Sequence, residues 1–237
     1  MSIFNYFKKG KQTPKTEQAH LYNLKDRADD GARRVHNLII LDESGSMISI
    51  YRPTLSGVNE TLQTIRDAQK EYLNQEQYVS LITFDTEHYN KIYSNTPADY
   101  TKDIKKSQYR PNGGTPLFDA MGRAINELRP NVAKGDVVLV TILTDGEENS
   151  SCEYNAVSIK KLVEAMKEDG WVFTYIGANQ VVERVATSMA IDNYCSFEAD
   201  EECTDAMFDN ERAHRKAFFA KVASCEPTEN LGTGYFD

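Results

Sequence analysis

Val35-His36-Asn37-Leu38-Ile39-Ile40-Leu41 runs without a break into Asp42-Glu43-Ser44-Gly45-Ser46. The first seven residues are nearly all apolar and rich in β-branched side chains, the pattern of a strand covered on both faces. The five that follow are turn formers, so the strand ends abruptly in oxygen-bearing side chains. Val137 to Leu143 (VVLVTIL) repeats the pattern and delivers Thr144-Asp145-Gly146 at its end. Two such strands, far apart in the chain, predict a sheet buried between helices.

The segments around them agree. Leu55, Val58, Leu62 and Ile65 recur at helical spacing after the first strand, with Pro53 tolerable only in that helix's first turn. Tyr78–Phe84 and His88–Tyr93 read as strands joined tightly through Asp85-Thr86-Glu87, a hairpin that makes one edge strand antiparallel. In Gly113-Gly114-Thr115-Pro116, Thr115 is placed to cap a helix that starts at Pro116 and buries Leu117, Met121, Ala124, Ile125 and Leu128. Ile159, Leu162, Val163 and Met166 mark a helix stopped by Gly170, and Val172–Ile176 a strand closed by Gly177-Ala178-Asn179. A short helix over Val181–Met189, a weak edge strand over Tyr194–Phe197 and a last helix carrying Ala213, Ala217, Phe218 and Val222 complete the chain. Strands alternating with helices predict an α/β domain: a doubly wound, mostly parallel sheet with one antiparallel edge strand and helices on both faces. The expected organisation is a basic arm over residues 1–34, the α/β domain over 35–200, and a carboxy-terminal helix and tail over 201–237.

Composition narrows the function. The 237 residues are 40% hydrophobic and 27% charged, enough for one full core. No apolar run approaches the roughly 18 residues of a membrane span, and Met1–Gly10 lacks the order of a signal peptide, so a cytoplasmic protein is expected. Cys152, Cys195, Cys203 and Cys225 are scattered, without disulfide or zinc spacing. Residues 1–34 hold eight Lys or Arg against four Asp or Glu, although the whole chain carries −9. The remainder is therefore acidic and would repel a phosphate backbone, which speaks against nucleic acid as a partner. Ile3, Phe4 and Phe7 beside Lys8, Lys9 and Lys11 could touch a membrane, but an arm docked on its own domain or disordered is the expectation.

The chemistry collects at strand ends. In open α/β sheets ligands bind outside the carboxyl ends of the strands, where the winding direction reverses. Asp42, Ser44 and Ser46 follow the first strand, Thr115 precedes a helix, and Asp145 follows the second buried strand. Two carboxylates and three hydroxyls are hard oxygen donors, suited to Mg²⁺, Mn²⁺ or Ca²⁺ and not to zinc or copper. Gly45 lets both serines face the same side as Asp42, and Gly114 and Gly146 allow close approach of the other loops. Glu147 and Glu148 read as solvated loop charges, His36 as a satisfied core or edge histidine, and the acidic stretch 198–211 as a solvated helix start.

Asp42-x-Ser44-x-Ser46, then Thr115, then Asp145-Gly146, resembles the metal-ion-dependent adhesion site of the von Willebrand factor type A domains, with every metal position filled. The resemblance covers about residues 35–200 and is nearest in kind to bacterial intracellular members. It implies that Ser44, Ser46 and Thr115 bind the ion directly in one state while Asp42 and Asp145 act through water. In another state Asp145 coordinates and Thr115 withdraws. It also implies a non-enzymatic module that recognises an Asp or Glu of a partner protein through Mg²⁺. The alternative is a metal-dependent phosphatase or phosphotransferase, whose Asp nucleophile needs a second Asp two residues on; Ser44 stands there. The Gly-x-Ser-x-Gly elbow of serine hydrolases and the phosphate-binding Gly-x-x-x-x-Gly-Lys loop are both missing.

Overall fold

Six strands form one sheet: β1 (Arg33–Asp42), β2 (Gln75–Phe84), β3 (Tyr89–Pro97), β4 (Val137–Thr144), β5 (Trp171–Ala178) and β6 (Asn193–Phe197). Their order is β3-β2-β1-β4-β5-β6. Every neighbouring pair is parallel except β2 with β3. The computed structural model describes residues 32–178 and 181–236. Most of the expected arm and also Asn179 lie outside the described residues; Arg33 and Arg34, at the arm's end, already pair with Gln75 and Glu76 in β1.

The strands are long and apolar because the sheet is covered on both faces. Val35, Ile39 and Leu41 of β1 join a core built with Val58, Leu62 and Ile65 of α1 (Tyr51–Glu71) and Phe208, Phe218 and Phe219 of α5 (Glu201–Ala223). Leu38 and Ile40 point the other way. They join a second core with Met121 and Ile125 of α2 (Leu117–Leu128), Ile159 and Val163 of α3 (Ala156–Glu168) and Ala186 of α4 (Val182–Ser188). Pro53 lies in the first turn of α1, and an Asn155–Ser158 capping box starts α3. Gly170, at φ +85°, turns the chain out of α3 into β5.

Three expectations change. Thr115 does not cap α2: the helix starts at Leu117, after Pro116 at ψ 61°. A proline with that ψ is not helical, so the chain turns one residue later. Gly177 and Ala178 do not close β5 but continue it, pairing with Ser196 and Phe197 of β6. The acidic stretch after residue 198 does begin a helix, with the Asp200 carboxylate accepting from Cys203 N at 2.7 Å, but it is not solvated throughout. Glu211 is 2% exposed and pairs with the fully buried Arg215 at 2.7 Å, Nε to Oε1. Arg215 also donates to Asn37 Oδ1 of β1 at 3.0 Å and to Thr141 Oγ1 of β4 at 2.8 Å. A buried charge is tolerated only when so matched.

The carboxy-terminal helix is thus part of the core. Leu231 of the short α6 (Thr228–Leu231) and Tyr235 join the same cluster. Helix α5 lies close against α1 because Gly57 has no side chain; a Cβ there would fall 2.1 Å from the Phe208 ring. Overlap of that size costs about 1–3 kcal/mol, more than the up to ~1 kcal/mol that alanine gains over glycine inside a helix. Gly57→Ala is therefore expected to lower stability in urea unfolding, and adding Phe208→Ala should recover part of the loss beyond simple additivity.

Candidate metal centre

Chain order dictates where a site can form. From β1 the chain crosses through α1 to β2 on one side, and β4 enters the sheet on the other. Winding therefore reverses between β1 and β4, and the crevice at their carboxyl ends is where such folds bind ligands. Asp42 is the last residue of β1 and Thr144 the last of β4.

The structure brings the five expected side chains together there. Asp42 is 0% exposed, with Oδ1 accepting from Ser44 N at 2.7 Å and Oδ2 from Thr144 Oγ1 at 2.5 Å. Ser44 Oγ lies 3.1 Å from Ser46 Oγ, and Ser46 Oγ donates to Asp145 Oδ1 at 2.6 Å. Thr115 joins through the Gly146 backbone. A Cβ on Gly146 would sit 3.0 Å from Thr115 Oγ1, 3.4 Å from Ser46 Oγ and 3.9 Å from Asp42 Oδ2. Three oxygens thus converge on one point that glycine leaves open.

Burial pushes the Asp42 carboxyl up to about 6, although bonds from Thr144 and Ser44 pull the other way. Burial also raises that of Asp145, against the lowering bond from Ser46. Two buried carboxyls beside clustered hydroxyls, neither with a cationic side chain among its stabilising partners in the described residues, form an electronegative pocket. That donor set fits a hard divalent cation.

Residues outside the motif hold the loops in register. Tyr109, fully buried and stacked on Tyr51 at 5.7 Å, donates its hydroxyl to Asp42 O at 3.0 Å. Glu43 Oε1 accepts from Arg110 N, Asn112 N donates to Glu43 O at 2.8 Å, and Gly45 N donates to Gly113 O at 3.0 Å. Glu148 is not the solvated charge expected of it. Its carboxylate accepts from Ser150 N, Ser151 N and the Ser151 hydroxyl, and from Phe118 N at 2.9 Å, so it supplies the cap of α2 that Thr115 does not. Glu147 is exposed. His36 is satisfied, at 2.8 Å from Asn95 Oδ1 and 3.1 Å from Asp136 Oδ2. Among the described residues Glu198, Asp200 and Cys203 also cluster, but Asp200 is engaged as the α5 cap.

Signals for these supporting residues are faint in the sequence. Thr144 stands beside the Asp-Gly of the motif, whereas Tyr109 sits in a stretch without period and nothing marks it as a partner of β1.

A doubly wound α/β domain with an oxygen-donor cluster at its topological switch is the class defined by this geometry. The chain belongs to the von Willebrand factor type A domain family, whose model matches residues 38–209. Similar folds occur in the D319A mutant of the PilB minor pilin from Streptococcus sanguinis, at TM-score 0.57 and 16% identity over 84% of this chain and 64% of that one. The pilus adhesin SpaC from Lactobacillus rhamnosus GG gives 0.57 and 15% over 79% of this chain and 30% of that one. The vWF domain of the type V pili tip protein Mfa5 from Porphyromonas gingivalis gives 0.57 and 10%, over 78% and 96%. The chain therefore spans less than two thirds of PilB and under a third of SpaC. No curated protein matches it.

Asp119, in the first turn of α2, fastens the loop after β4. It is 6% exposed, and its carboxylate accepts from Cys152 N at 2.9 Å, Glu153 N at 2.9 Å and Tyr154 N at 2.8 Å. Burial opposes its ionisation, but the three backbone donors outweigh burial and lower its titration below the ordinary carboxylate value. A carboxyl lowered on folding stabilises the protein above its ordinary range, and the effect is lost as pH falls through the folded value. Asp119→Asn should cost about 1–3 kcal/mol near neutrality. Urea unfolding against pH should show wild type and variant converging below about pH 4.

Proposed function

We propose that this chain is a protein-binding module, not an enzyme, which recognises an acidic residue of a partner protein through a divalent cation, Mg²⁺ in the first instance with Mn²⁺ or Ca²⁺ as substitutes. The observation that supports this best is the convergence of Thr115, Ser46 and Asp42 oxygens on the open space beside Gly146. Ser44, Ser46 and Thr115 would hold the ion with their hydroxyls, and Asp42 and Asp145 would balance its charge, directly or through water. A bound Mg²⁺ supplies positive charge and a coordination position open to a carboxylate. Ser46 is exposed while Asp42, Ser44 and Thr115 are buried, so a partner approaches from the Ser46 side and the buried residues fix the geometry.

The phosphatase alternative fits less well. Asp42 has no exposed surface and both its oxygens are engaged, so it is poorly presented as a nucleophile. The residue two positions on is Ser44, which at its ordinary pKa serves as no general acid. That the similar solved structures include a pilus adhesin and a pilus tip protein is in keeping with a binding role. The cytoplasmic setting belongs to the same proposal, and four cysteines that form no disulfide among the described residues are in keeping with it.

A ligand that binds only the folded state stabilises it by about 2.7 kcal/mol at a hundredfold excess over its dissociation constant. For a domain of this size that raises the melting temperature by roughly 5–10 °C. Wild type melted in MgCl₂ should show that rise over EDTA. Asp42→Ala should not respond, and neither should Gly146→Ala, whose methyl would fill the space between the donors. Identical wild-type curves in EDTA and Mg²⁺ would count against the site.

A further inference from the structure

The face around the candidate centre has a chemistry of its own. All five parallel strands end at one edge, so the segments after β1, β2, β4, β5 and β6 share it. Three of the five strongly exposed large apolar side chains among the described residues lie on those segments. Ile48, two residues beyond Ser46, is 65% exposed; Val157, at the start of α3, is 65%; Val181, just before α4, is 61%. The same edge carries exposed acids: Glu87 after β2, Glu147 two residues beyond Asp145, and Glu198 after β6. Arg52 and Arg110 are exposed there as well, but buried Asp42, Glu43 and Asp85 add to the negative side.

An anionic rim works against the ligand that the centre is proposed to bind. A bare acidic segment would be repelled at distances where the centre cannot yet hold it, while a segment of opposite charge is attracted and oriented. Exposed apolar side chains around such a point serve as the contact core of an interface, inside a polar rim.

We infer that this face selects a partner segment in which one Asp or Glu is flanked by apolar residues and, beyond them, by Lys or Arg. This rests on the proposed binding role, and it names the partner's chemistry. Ile48, Val157 and Val181 receive the apolar neighbours. Glu87, Glu147 and Glu198 pair with the outer cations and discriminate against acidic competitors.

The test uses the full chain and three synthetic peptides followed by fluorescence anisotropy: Arg-Lys-Leu-Asp-Leu-Lys-Arg, Ser-Gln-Leu-Asp-Leu-Gln-Ser, and the first peptide with Asn for its Asp. In Mg²⁺ at low salt the first should bind at least about tenfold tighter than the second, the advantage shrinking as salt screens it. The Glu87→Lys/Glu147→Lys/Glu198→Lys variant should abolish the advantage while keeping the wild-type melting temperature. Ile48→Ser should weaken both Asp peptides. Equal affinities, a preference for the neutral peptide, or no binding of the cationic peptide would overturn the inference. So would light scattering that shows a dimer broken by Ile48→Ser, because a second copy would then occupy the face. A cationic preference that persists in EDTA and with the Asn peptide would uphold the surface and refute the metal bridge instead.

Discussion

The bond from the Thr144 hydroxyl to the Asp42 carboxylate, 2.5 Å long and out of reach of water, joins the ends of the two central strands. Everything at the site is placed from it. Pairing of β1 with β4 runs from Val35 with Val137 to Leu41 with Leu143, and Arg215 ties the middle of the same two strands through Asn37 and Thr141. The strands therefore present Asp42 and the Thr144-Asp145-Gly146 turn side by side as a rigid floor, and the hydroxyl-bearing loops close over it. Rigid elements place donors more closely than loops do, and cation sites depend on that placement.

The loops are then fixed by unusual means. Backbone amides of one segment are held by carboxylates of another: Glu43 takes Arg110 N, Glu148 takes Phe118 N, and Asp119 takes Cys152, Glu153 and Tyr154 N. Charge-assisted bonds of this kind are stronger than neutral ones. They also concentrate negative charge in the shell around Asp42 and Asp145. The same residues that give the site its shape thus add negative charge around its oxygen donors, which favours the cation proposed to bind there.

Much of this was open to reading from residue patterns. The sheet could be read because doubly covered strands are apolar throughout, and the five candidate oxygen donors because they stand beside glycines at strand ends or, for Thr115, just before a helix. What could not be read depends on partners distant in sequence. Tyr109 meets Asp42 across 67 positions, and Glu211 looks like one more solvated acid until Arg215 is found buried beside it. Thr115 followed by proline has the local form of a helix cap. Only the backbone of Pro116 and the reach of Glu148 free that role for another residue. Local chemistry proposes a small set of uses for each side chain, and packing decides among them.

Ser44, Ser46 and Thr115, with Asp42 and Asp145 behind them, are proposed to hold one divalent cation at the carboxyl end of β1 and β4. Anomalous X-ray scattering from crystals grown with Mn²⁺ tests it most directly, because it locates the ion without assuming a partner or an activity. A strong anomalous peak is expected at coordination distance, about 2.2 Å, from the three hydroxyl oxygens. No peak there in crystals that hold Mn²⁺ elsewhere, for example at Glu198 and Asp200, would contradict it.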